Sequence, residues 1–130
     1  MKKNAGFTLL EILIVLVILA VLAGLAVPAY VSAVEKQRKQ EAIESLGAVR
    51  ASEQRYFASH NVYTGSYTDL DYDPTLAVTG NTVHFTYAAP VVVGGSAYTA
   101  VATRNATDRP AGVGAYTVTI AQDGTITATY

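Results

Sequence analysis

Cysteine is absent from the 130 residues, which excludes disulfide bonding and thiolate chemistry. Histidine is scarce: His60 and His84 are the two in the chain. Without cysteine they supply at most half of a zinc site, and loop and strand positions are the simpler reading. There is no basic excess either, because nine Lys and Arg stand against ten Asp and Glu for a net charge of -1. A basic nucleic-acid binder is thereby disfavoured, and no nucleic-acid partner is expected. The most informative absence is local: no charged residue occurs from Ile12 to Val34.

That gap coincides with an excess of apolar residues. Of the 23 residues from Phe7 to Ala29, 19 are apolar, against 45 of the 101 from Tyr30 onward. The length allows one soluble domain, so one end of the chain wants lipid or a protein core and the rest has ordinary soluble composition. As a helix the stretch from Ile12 to Ala29 would span about 27 Å, close to the thickness of a bilayer core. A membrane segment is the first expectation. Lys2 and Lys3 ahead of it favour a cytoplasmic N-terminus, although Lys36, Arg38 and Lys39 on the far flank dilute the contrast.

A conventional signal peptide removed after Val21-Leu22-Ala23 is the rival reading. Two features oppose it. The apolar run is longer than the usual signal core of about 7 to 15 residues, and such a core has no use for the carboxylate of Glu11. An ionised acid within a spanning helix costs about 3 kcal/mol unless it finds a partner, so a lone one points to a function.

The stretch Lys2-Lys3-Asn4-Ala5-Gly6-Phe7-Thr8-Leu9-Leu10-Glu11-Ile12-Leu13 resembles the class III signal of type IV pilins and pseudopilins. The resemblance implies that a prepilin peptidase cuts between Gly6 and Phe7 and that the new N-terminal Phe7 is methylated. For assembly it points to Glu11, with Phe7 and Thr8. The amine created on Phe7 would have an ordinary pKa of about 7.7 to 8 and be largely protonated at neutral pH. In a stack of staggered identical helices, Glu11 could meet the amine of a neighbour, offsetting the burial of both charges and setting the axial register. The competing local role is a carboxylate that favours the helix N-terminus.

Gly24 and Pro28 interrupt the apolar segment. Proline within a helix removes one hydrogen bond and clashes with the carbonyl four residues back, here that of Gly24. A kink or local loss of helix is expected, and the family resemblance makes this stretch a candidate for extensibility in a filament.

From Tyr30 to Phe57 there is no proline and one glycine, and Ala42, Leu46, Val49 and then Tyr56 recur at helical spacing. Between the two apolar patterns lies Glu35-Lys36-Gln37-Arg38-Lys39-Gln40-Glu41, read as a solvated face in preference to charge contacts between subunits. Phe7 to Phe57 as one helix would run about 75 Å, far beyond what one small domain can cover. Lipid before assembly and sister helices afterward would cover the remainder.

Ser59 to Gly80 reads as a long irregular connection. Three alternating runs follow, Val83-Phe85-Tyr87, Tyr98-Ala100-Ala102 and Tyr116-Val118-Ile120. A three-residue loop, Gln122-Asp123-Gly124 with Gly124 left-handed, pairs Ile120 with Ile126, Val118 with Ala128 and Tyr116 with Tyr130, keeping the large apolar residues on one face. That face should pack on the Ala42, Leu46, Val49 stripe.

The expected fold class is therefore α+β and type IV pilin-like: a long N-terminal α-helix whose C-terminal half packs on a small antiparallel β-sheet. Its parts would be a leader over 1–6, a transmembrane and assembly half-helix over 7–29, an amphipathic half over 30–57, a connection over 58–82 and the sheet over 83–130. Many type IV pilins close a C-terminal loop with a disulfide, and this chain has no cysteine for it.

Other chemistry is thinly supported. Asp69, Asp71 and Asp73 have the alternate acids of a calcium loop, but an EF-hand would need Gly at Pro74 and Glu at Gly80. They stay a weak calcium candidate, with a solvated turn preferred. Ser66 or Ser96 with His84 lacks any nucleophile-elbow signature, so the chain reads as a non-enzyme with no cofactor. Asn105-Ala106-Thr107 is a sequon in form only.

The functional expectation is a structural subunit of a type IV pilus, held in the bacterial inner membrane as a prepilin and then exported into an extracellular homopolymer. Its partners would be copies of itself, the prepilin peptidase, the assembly platform and minor pilins. The alternatives are a pseudopilin of a type II secretion or DNA-uptake system and, from another class, a secreted binding domain with a conventional signal peptide.

Overall fold

The computed structural model describes residues 6–76 and 84–129. Lys2, Lys3, Val83 and Tyr130 lie outside them. The element order is α1 (Leu9–His60), two short 3-10 turns (Tyr67–Asp69 and Ala106–Asp108) and four strands, β1 (Phe85–Val93), β2 (Ala97–Arg104), β3 (Thr117–Ala121) and β4 (Ile126–Thr129). This is the expected α+β arrangement of one long N-terminal helix followed by a small antiparallel sheet. The chain divides into two compact units, Met1–Lys36 and Gln37–Tyr130.

In the first unit, helix and composition agree. Leu, Ile, Val and Ala dominate, and α1 stays helical through Gly24 and Pro28. The loss of helix expected there does not occur, because the single amide missing at Pro28 leaves neighbouring turns with their own hydrogen bonds. The large apolar residues from Leu9 to Val27 are exposed all round, from 48% at Ile12 and Val15 to 83% at Leu9. This stretch of α1 is long and apolar enough to cross a membrane, and none of its most apolar window is buried within the chain.

In the second unit, Ala42, Leu46 and Val49 are fully buried and share one core with Phe85, Tyr98, Ala100, Ala102, Tyr116, Val118 and Ile120. The helix ends where Asn61 turns left-handed at φ 57°, its amide still bonding the Phe57 carbonyl at 2.8 Å. Asn tolerates that conformation at a helix C-terminus better than most residues. Ser59 and His60, expected in the connection, are instead the last helical residues. His60 stacks on Tyr56, and the Ser59 hydroxyl donates to the Tyr56 carbonyl at 2.9 Å.

The sheet is a meander in the order β1-β2-β3-β4, antiparallel throughout. Tyr98, Ala100 and Ala102 on β2 and Val118 and Ile120 on β3 face the core, as their alternation predicts. In β1 the pairing slips by one residue between Ala88 and Val91. Pro90, which has no amide for the ladder, sits within this bulge on an edge strand. In consequence the inward positions change from Phe85 and Tyr87 to Pro90 and Val92.

The last hairpin has the expected register, with Ile120 opposite Ile126, Val118 opposite Ala128 and Gly124 at φ 92°. Packing departs from expectation at Ile126, which is 43% exposed. Four strands about 4.8 Å apart span more width than one helix about 10 Å across can cover, so the edge strand β4 is left partly open.

Candidate functional site

The first turn of α1 is built from Thr8. Its carbonyl accepts the amides of Glu11 (3.1 Å) and Ile12 (3.3 Å), and its Oγ1 accepts the Glu11 amide at 3.2 Å. Thr8 is therefore the N-cap, satisfying donors that have no partner within the helix. Thr8-Leu9-Leu10-Glu11 also has the spacing of a capping box, a signal present in the sequence and separate from the assembly role that the family resemblance implies for Thr8.

Glu11 is exposed in this first turn, where a carboxylate complements the helix dipole. Gly6 and Phe7 lie just ahead of the helix, both exposed and outside any regular element. Gly6, Phe7, Thr8 and Glu11 thus form a short capped terminus on an apolar helix. Gly24 and Pro28 lie more than three turns further along and do not join it.

The three aspartates weighed as calcium ligands each have a different protein donor. Asp69 Oδ2 accepts the Thr64 hydroxyl at 2.8 Å, and Asp73 Oδ1 accepts the amide and hydroxyl of Thr75 at 2.8 and 2.6 Å. Asp71 receives both Nε and Nη2 of Arg55, at 2.7 and 2.8 Å, and the Ser52 hydroxyl. Arg55 first and Ser52 second hold its carboxyl down at about 2. Among the described residues, no three acidic or imidazole side chains gather into a metal-holding group.

Sequence reasoning missed two charged residues that the fold buries. Arg104 takes the fourth inward position of β2, after Tyr98, Ala100 and Ala102, with its side chain wholly enclosed. It donates to the carbonyls of His84 and Asp108, each at 2.8 Å, and to Asp108 Oδ2 at 3.3 Å. His84 Nδ1 bonds the same carboxylate, and Arg38 Nη1 bonds the Asp108 carbonyl at 3.1 Å. The Asp108 carboxyl is held below its ordinary range, chiefly by His84, with Arg38 and Arg104 adding to the effect. Arg38, read as part of a solvated face, is in fact a tie from α1 to the loop after β2.

Glu53 is the second. It continues the stripe of Ala42, Leu46 and Val49 by one further step of four, has no exposure, and accepts the Thr64 amide at 3.1 Å. The step of four after Val49 is legible in the sequence, where an acid at that step competes with Tyr56 as the next member of the stripe.

Among known families, the model of the prokaryotic N-terminal methylation motif matches residues 1–27. The chain therefore carries the signature of type IV pilins and pseudopilins at its N-terminus, which fits prepilin processing and insertion of the apolar helix in a membrane. No curated protein matches the chain, and no solved structure does.

Proposed function

We propose that this chain is a structural subunit of a type IV pilus, stored in the inner membrane as a prepilin, cleaved between Gly6 and Phe7 and methylated on Phe7. It then assembles into an extracellular filament with copies of itself through the apolar part of α1. The observation that carries this reading is the exposed apolar surface from Leu9 to Val27, which opens on a capped turn holding the lone acid Glu11. Each of its large apolar side chains is about half exposed or more. Lipid covers it in the stored subunit and sister helices cover it in the filament.

Glu11 then pairs with the Phe7 amine of a neighbouring copy, and Gly24 to Pro28 gives the assembled helix a point where it can extend. The prepilin peptidase, an assembly platform and minor pilins are the partners this route requires. Two measurements test it. Mass spectrometry of the protein from its native cell should find N-methylated Phe7 at the mature terminus; a terminus at Gly24 or later sinks the proposal. Glu11→Ala should leave cleavage intact while greatly reducing filaments seen by electron microscopy, and normal filaments from that variant would refute the pairing. A wild-type chain confined to the envelope without long filaments turns the reading to a pseudopilin.

A further inference from the structure

The inward stripe of α1 runs Ala42, Leu46, Val49 and then Glu53, so a carboxyl lies where the packing calls for an apolar side chain. Its Oε2 accepts one hydrogen bond, from the Thr64 amide, and its Oε1 has no partner. Opposite, on β2, the buried Tyr98 also has a hydroxyl without a partner.

The surroundings supply no counter-charge. Tyr98 from β2 and Tyr67 from the 3-10 turn both face Glu53 closely enough for its charge to oppose their ionisation, burial being the larger cause for each. The Tyr67 hydroxyl is already engaged, donating to the Ala88 carbonyl at 2.7 Å. One turn back on α1, Arg50 also acts on Tyr98, and its Nε is committed to the Gln122 carbonyl at 3.1 Å. Asp69 lies beyond Thr64, whose hydroxyl it accepts, and Asp73 acts on Tyr67; both are acids. Among the described residues no cation pairs with Glu53. One backbone amide is too little to offset the desolvation of a buried carboxylate.

We propose that Glu53 is held as a neutral acid in the folded protein and works as a pH-sensitive latch, whose deprotonation as pH rises loosens the stretch around Thr64 from the helix. In the neutral form the carbonyl oxygen keeps the Thr64 amide, and the acid proton is offered toward Tyr98 Oη through one water. Loss of that proton places a charge in the core beside two phenols and removes the donor. The Thr64 amide favours that charge but does not offset its burial, so the carboxylate reaches water only where the backbone around Thr64 parts from α1. The rest of the connection stays held by the Tyr63 amide on the Gly95 carbonyl, the Tyr67 hydroxyl on the Ala88 carbonyl and Asp71 on Ser52 and Arg55.

Burial pushes the Glu53 carboxyl above its ordinary value, and the Thr64 amide opposes this only in part. For an acid raised in the folded state, the contribution to stability is complete below the unfolded value of 4.5 and is lost as pH rises through the folded one.

The test uses the full chain in detergent micelles. The Glu53 side-chain carboxyl carbon, followed by NMR and assigned by comparison with Glu53→Gln, should titrate with a midpoint clearly above 4.5. Over the same range the Thr64 amide should lose hydrogen-exchange protection beyond the intrinsic pH effect. Glu53→Gln keeps the shape of the neutral acid, so its Tm should fall less with rising pH than the wild-type Tm, and the Thr64 protection should no longer change. A midpoint at or below 4.5 overturns the proposal, as does a Glu53→Gln profile parallel to that of the wild type. Should the variant fail to fold, the wild-type carbon titration, assigned through bonds from the Glu53 backbone, decides together with the Thr64 exchange.

Discussion

Arg104 and Asp71 show how differently two charged side chains in one unit depend on their surroundings. Arg104 is enclosed, and its guanidinium satisfies the His84 and Asp108 carbonyls together with the Asp108 carboxylate. Arg104→Ala leaves those acceptors without their donor and should destabilise the unit by about 3 kcal/mol, measured by denaturant unfolding in detergent. Asp71 is exposed, and its pairing with Arg55 and Ser52 shows in its titration, with a folded value of about 2. For an acid lowered in the folded state, stabilisation is present above the unfolded value and is lost as pH falls toward the folded one. The Tm should therefore drop between about pH 4 and pH 2, and Asp71→Asn should flatten part of that drop. Thr8→Ala removes the N-cap bond and should cost about 1 kcal/mol of local helix stability, read as faster amide exchange at Glu11 and Ile12.

Elements formed where two periodicities were plain. Alternation in Tyr98-Ala100-Ala102 and in Val118-Ile120 was legible because each inward side chain meets the core directly. The β3–β4 register was legible because only one loop length keeps Ile120 opposite Ile126, and the left-handed Gly124 follows from that loop. Gly124→Ala puts a side chain at φ 92°, with its Cβ 3.3 Å from the Arg50 guanidinium carbon, and should cost about 1 to 3 kcal/mol in thermal unfolding. Leu46→Ala empties a fully buried site at the centre of the stripe and should cost about 2 to 5 kcal/mol in denaturant unfolding. The bulge at Pro90 and the tie from Arg38 to Asp108 were not legible. Both depend on which strand or loop is adjacent in space.

At the scale of the whole molecule, the buried residues among those described all lie in one unit. The core draws on residues from Ala42 to Ile120, and the apolar residues from Leu9 to Val27 contribute nothing to it. A chain beginning at Tyr30 should therefore stay soluble without detergent and keep the thermal transition of the full chain's sheet-bearing unit. Sedimentation and circular dichroism check this, and aggregation of the truncated chain would show that the removed segment stabilises the fold. Exposed apolar residues would remain in that chain, at Tyr30, Val62, Leu76, Val91, Val93 and Ile126, far fewer than the removed segment carries.

The sequence by itself determined the apolar helix, its N-terminal methylation motif, the α+β class and the hairpin register, because these rest on neighbours within a few residues or on a strict period. Only the tertiary structure decided the fate of the polar side chains. Glu53 and Arg104 sit in positions whose period says inside and whose chemistry says outside. Which prevails depends on whether partners such as Thr64, His84 and Asp108, distant along the chain, are carried to them by the fold.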